Sequence, residues 1–101
     1  MKLARVIGQV VSTVKHSALI NDKLLLIEYL DSEGKSRNIT GVAADVIGAG
    51  TGEWVLIVEG SNARRVIANT EAPLDMAIVG IVDEVVIQSK VVYNKKEEEG
   101  M

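Results

Sequence analysis

The stretch Asp45-Val46-Ile47-Gly48-Ala49-Gly50-Thr51-Gly52-Glu53-Trp54-Val55-Leu56-Ile57-Val58-Glu59-Gly60-Ser61-Asn62-Ala63-Arg64 decides how the rest of the chain is read. A glycine-rich loop leads into an apolar strand, which ends in a turn carrying an arginine. Glycines at alternate positions either let the backbone approach a phosphate, let copies of the chain crowd together, or simply give a flexible connection. A dinucleotide fingerprint needs a third glycine where Glu53 stands, and a P-loop needs Gly-Lys-Ser/Thr where Gly52 is followed by Glu53-Trp54. No long helix follows whose N-terminus would hold a phosphate. The phosphate reading fails. An ordinary loop and close packing of copies stay open, with close packing favoured.

Working outward from this loop, the chain reads as strands. From Lys2 to Val14, Ala4, Val6, Val10 and Val14 make one apolar face, and Gly8 sits where a barrel strand bends. Lys15 to Asp22 reads as a loop. Lys23 to Leu30 is apolar on both faces and should therefore be covered on both. Asp31-Ser32-Glu33-Gly34-Lys35 is a hairpin loop, returning as a strand from Arg37 to Ala44. Trp54 to Val58 is the fourth strand, and Ser61 is placed to cap a short helix through Val66. Asn69 to Pro73 reads as irregular. The second half of Leu74 to Ile87 is the last core strand, with Gly80 at a bend. Five strands with one short helix predict an all-β fold, a small five-stranded barrel whose closure removes exposed edges. The barrel domain is expected to span 1–88. Residues 89–101 form a C-terminal extension whose charged end is expected to be disordered, and Gln88 to Tyr93 extends the last strand or adds an edge piece.

Composition narrows the chemistry. The 101 residues suit one small domain that buries roughly two-thirds of its unfolded surface. Hydrophobic residues make up 48% and aromatics 3%, so the apolar mass is Val, Ile, Leu and Ala, with too few charges to cover it; this predicts burial against other copies. No apolar run nears the ~18 residues of a membrane span, and no signal peptide is evident, giving the expectation of a soluble cytoplasmic chain. The absence of cysteine removes disulfides, thiolate zinc sites and cysteine nucleophiles. His16 reads as a surface histidine, and no metal or cofactor site is expected. Asp45, Glu53, Asp75 and Asp83 are carboxylates at strand ends, where capping is commoner than acid–base pairing, and Ser61 has no identifiable base. No catalytic constellation emerges. A small barrel also raises binding of nucleic acid or a small ligand, but a net charge of -3 and three aromatics (Tyr29, Trp54, Tyr93) argue against a stacking groove for nucleic acid. Arg64 and Arg65 read better as an intersubunit ion-pair site.

Gly48-Ala49-Gly50-Thr51-Gly52-Glu53, followed by Val55-Leu56 and Gly60-Ser61-Asn62-Ala63-Arg64, resembles the signature of the bacterial microcompartment vertex proteins of the EutN/CcmL type. Leu3-Ala4-Arg5-Val6 with Gly8, Lys23-Leu24-Leu25-Leu26, Ala44-Asp45-Val46-Ile47 and Leu74 to Asp83 resemble the family's other strands, so the likeness runs from Met1 to about Val86. Ile47 stands where the family usually has Val, and the segment from Gln88 is longer than many members have. The resemblance implies a non-enzymatic shell subunit with an oligonucleotide-binding-like (OB-like) barrel. It implies a homopentamer that closes the vertices of a polyhedral shell, beside hexameric and trimeric shell proteins in the bacterial cytoplasm. Ring size belongs to the resemblance. The residues themselves say that a closed ring needs small side chains near its axis. Gly48, Ala49, Gly50, Thr51 and Gly52 are accordingly expected at the central opening, with Glu53, Ser61, Arg64 and Arg65 at subunit or tile contacts.

Overall fold

The structure, a computed structural model, describes residues 1–11, 23–67 and 74–99. His16, residues 12–14 of the expected first strand, the 15–22 loop, the 69–73 segment and residues 100–101 lie outside the described residues. Five strands close a barrel: β1 (Lys2–Val10), β2 (Lys23–Leu30), β3 (Ser36–Asp45), β4 (Trp54–Glu59) and β5 (Met76–Ile81), in the order β1-β2-β3-β5-β4. β4 returns to β1 through Lys2↔Ile57 to Arg5↔Trp54. A short helix, α1 (Ser61–Ile67), lies between β4 and β5 and buries Ala63. β3 and β5 run parallel and meet over Ala44↔Ala77 and Asp45↔Ile78.

The barrel interior follows the strand alternation. Ala4 and Val6 of β1, Leu25, Ile27 and Tyr29 of β2, Ala43 of β3, Val55 and Ile57 of β4 and Ile78 of β5 form one core. Bulky β-branched residues fill the middle, while alanines let the strands curve tightly. The bend expected at Gly8 is a register shift between Val6 and Gly8 against β2. A second shift lies between Leu56 and Ile57 on β4, where Gly80 pairs with Leu56. Tyr29 enters the core from one end, and its hydroxyl donates to Glu59 Oε2 at 3.1 Å. Burial first, and then the Glu59 carboxylate, push its pKa up to about 12. Lys2 pairs with the other Glu59 oxygen at 2.9 Å.

The C-terminal part departs from the sequence expectation. The last barrel strand stops at Ile81, after which the Val82 N–H donates to the Trp54 carbonyl at 2.9 Å and the chain leaves the barrel. β6 (Glu84–Ile87) and β7 (Lys90–Asn94) then form a separate two-stranded sheet. The division expected at residue 88 therefore falls in the tip of a hairpin, where Gln88 and Ser89 both have left-handed backbones (φ 49° and 64°). Tyr93 stacks on Trp54 with ring centroids 4.0 Å apart and anchors the hairpin in a second cluster with Leu30. The charged end expected to be disordered continues as a second short helix, α2 (Lys95–Glu99). Asn94 Oδ1 caps it by accepting from the Lys96 N–H at 3.0 Å.

Candidate functional site

The glycine loop joins β3 to β4 at one end of the barrel and is held by charged side chains on both flanks. Asp45, the last residue of β3, has a fully buried side chain. Its Oδ1 accepts from the Ile47 N–H at 3.1 Å and the Gly48 N–H at 3.0 Å, folding the loop's entry into an Asx turn. Its Oδ2 lies 3.5 Å from Lys23 Nζ, and the same ammonium lies 3.5 Å from the Ala49 carbonyl. On the exit side, Glu53 Oε1 accepts from the Gly50 N–H at 2.6 Å, and Oε2 pairs with Lys95 Nζ at 2.7 Å. Lys95 first, and the Gly50 N–H to a lesser degree, hold the Glu53 carboxyl below its ordinary range, against burial. Backbone bonds complete the attachment, with Gly52 N–H donating to the Val6 carbonyl at 2.8 Å and Val6 N–H to the Glu53 carbonyl at 3.0 Å.

The five small residues differ in why they are small. Gly48 and Gly52 have φ of +86° and +91°, a backbone region that only glycine adopts without strain. Ala49 is 1% exposed, and its methyl belongs to the barrel core, so its size is set within one chain. Gly50 is exposed and is not left-handed; a Cβ there would meet only Glu53 Oε1, at 3.4 Å. Thr51 is exposed. The loop thus offers Gly48, Gly50, Thr51 and Gly52 to solvent as a low rim over a rigid base.

The other expected contact residues are dispersed. Glu53 is engaged within its own chain. Ser61 is exposed at the start of α1, Arg64 is half-buried and Arg65 exposed, and among the described residues neither arginine has an ion-pair partner. Sequence reasoning missed Lys23 and Lys95 as loop anchors. The Asp45-x-x-Gly48 spacing carried a local signal for the Asx turn, but nothing local points to lysines far away in sequence. Of the four strand-end carboxylates, for which capping was the expected role, Asp45 and Glu53 use theirs on loop amides and lysines. Among the described residues, no three His, Cys, Asp or Glu side chains gather where a metal would sit. Tyr29, Trp54 and Tyr93 are all buried, at 4%, 9% and 5% exposure, so none is available to stack on a nucleobase. No helix among the described residues is long and apolar enough to cross a membrane.

The fold and the site define the class: a closed OB-like barrel that displays a rim of small residues held by the Asp45 and Glu53 carboxylates. The chain belongs to the EutN/CcmL family: the family described as "Ethanolamine utilisation protein EutN/carboxysome" matches residues 1–83. It is 53% identical to the bacterial microcompartment shell vertex protein EutN of Salmonella typhimurium, over 94% of this chain and 96% of that protein. It is 47% identical to the carboxysome shell vertex protein CcmL of Synechocystis, over 97% of this chain and 98% of the relative. Among solved structures it is similar to the GrpN pentameric microcompartment shell protein of Rhodospirillum rubrum. That match has a TM-score of 0.79 and 41% identity, over 86% of this chain and 99% of the other.

Proposed function

We propose that the chain is a structural subunit of a bacterial microcompartment shell, forming a homopentamer that caps the shell's vertices in the bacterial cytoplasm. Hexameric and trimeric shell proteins are its neighbours in that reading, and it performs no turnover. The near full-length similarity to named shell vertex proteins carries the reading. The clamped loop supports it physically. Five copies around an axis bring identical atoms together, so the rim must be small, uncharged and unable to swing into the opening. Gly48, Gly50, Thr51 and Gly52 meet the first two demands, and the Asp45 and Glu53 anchors meet the third.

Gly50 gives the sharpest test of the loop's place at the axis, because its backbone is not left-handed and a Cβ there would meet only Glu53 Oε1, at 3.4 Å, among the described residues. Wild-type protein in native mass spectrometry is expected at five times the chain mass. Gly50→Leu is expected to lose most of that species while keeping the wild-type far-UV circular dichroism. A full yield of pentamer from Gly50→Leu would remove the loop from the axis; a monomeric wild type at micromolar concentration would remove the vertex function.

A further inference from the structure

The chain beyond Ile81 is joined to the barrel at few points. Among the described residues, β6 and β7 pair only with each other, in a sheet of their own. A two-stranded ribbon is marginal unless it is packed, and this one is packed on one face. There Val85 and Tyr93 join Trp54, Leu30 and Leu3 in one apolar cluster, while Val86 and Val91 on the other face stay half exposed. Where the ribbon passes into α2 the junction is wet. A cleft of about 510 Å³ lies there, lined among the described residues by the charged and amide side chains of Asp83, Glu84, Asn94, Lys95 and Lys96. The Lys95 N–H donates to the Asp83 carbonyl at 2.8 Å, so the base of the ribbon and the start of α2 are tied to each other.

This unit reaches the rim of the glycine loop through Lys95. Its ammonium holds Glu53 Oε2 at 2.7 Å, and Glu53 Oε1 accepts from the Gly50 N–H at 2.6 Å. Without that ammonium the partly exposed Glu53 carboxylate can turn to water and leave the Gly50 amide behind. The rest of the rim is held from the barrel strands. Gly48 is bonded to Asp45 of β3, and Gly52 to the Val6 carbonyl of β1. Only the Gly50 amide takes its bond from a side chain that the C-terminal unit holds. A segment with few buried apolar contacts opens before the structure it leans on. We propose that the segment from Val82 through α2 is a strap that opens as a unit before the barrel does, and that its closure fixes the Gly50 and Thr51 part of the rim while the Gly48 part stays fixed regardless. Its consequence for a central opening rests on the ring proposed above, where release of the strap lets that part of the rim move. The coupling itself lies within one chain.

The test is amide hydrogen exchange on the full-length protein, read residue by residue, with native mass spectrometry on each sample. Tyr93→Ala removes the stack on Trp54 and leaves Lys95, Glu53 and the loop in place. It is expected to speed exchange of the β6 and β7 amides and of Gly50 together, by about tenfold or more, while Gly48 and β2 keep their wild-type rates. Lys95→Met is expected to speed Gly50, and Lys95→Arg to hold it near the wild-type rate. Adding Tyr93→Ala to Lys95→Met should still speed the hairpin but leave Gly50 unchanged, because the link is already cut. That comparison also separates strap opening from any change in assembly. The proposal is overturned by a wild-type Gly50 rate in Tyr93→Ala, by Gly48 or β2 rising with Gly50, or by a further rise of Gly50 in the double variant. Where Tyr93→Ala does not fold, the two Lys95 variants decide, and a Gly50 rate untouched by Lys95→Met overturns the coupling. The wild-type mass bears on the vertex reading alone: a protein that is not five-membered overturns that reading and leaves the measured coupling of strap and loop intact.

Discussion

Gly48, Gly50 and Gly52 look equivalent in sequence, yet two are required by backbone angle, whereas at Gly50 a Cβ would meet only Glu53 Oε1, at 3.4 Å, among the described residues. Gly50 is tied to the rest of the molecule by Glu53, whose two carboxylate oxygens join the Gly50 amide to Lys95 at the start of α2. Because this carboxyl titrates lower in the folded chain than in the unfolded one, its contribution is fully present above the ordinary glutamate range. It disappears as pH falls through the lowered folded value. The Gly50 amide resonance in a proton–nitrogen correlation spectrum is therefore expected to titrate with a midpoint below the ordinary glutamate range. Lys95→Met should move that midpoint upward, since Lys95 is the larger cause, and Glu53→Gln should abolish it. A Gly50 midpoint unaffected by Lys95→Met would show that the loop is held without the bridge.

Among the elements, the hairpin of β6 and β7 carries the most local strain. Its tip places Gln88 and Ser89 in left-handed conformations, the geometry of a type I′ turn, for which Asn-Gly is the favoured pair. Ser89→Gly removes a steric penalty of the order of 1 kcal/mol at the cost of some unfolded-chain entropy. The expected result is a higher urea midpoint with an unchanged slope at fixed protein concentration, corresponding to a stability gain of up to about 1 kcal/mol. A downward shift would show that the Ser89 side chain makes a contact worth more than the strain. The barrel strands carry their irregularities differently. The shift at Gly8 leaves the core residues Ala4 and Val6 in place while turning Ile7 out to solvent.

For the whole molecule, the barrel buries its central aliphatic residues well, yet Ile7, Val42, Val86 and Val91 stay exposed in the isolated chain. Covering them against copies links folding to assembly, so stability should depend on protein concentration. The thermal midpoint of the wild type is expected to rise by several degrees over a hundredfold increase in concentration. A concentration-independent midpoint for the wild type would mean that the barrel draws no stability from its neighbours.

The sequence by itself determined the strands and the inward face of the first, because alternation and β-branched residues are local signals: Ala4 and Val6 were legible as core, whereas β2 reads as apolar on both faces and the barrel alone shows that Leu25 and Ile27 point inward. It also carried the loop's small size and the closed barrel, since five strands that would otherwise expose edges call for closure. Three features depended on the tertiary structure. The hairpin past Ile81 was missed because Leu74 to Ile87 is mostly apolar on either side of Asp83-Glu84, and the Val82 bond to Trp54 and the docking of Tyr93 on Trp54 show where the chain turns away. The helical end was missed because its order depends on the Asn94 cap and the attachment of Lys95. The anchoring of the glycine loop by Lys23 and Lys95 was missed for the most general reason. An ion pair between residues distant in sequence leaves no spacing to read, and only the closed barrel brings those lysines to the carboxylates that hold the loop.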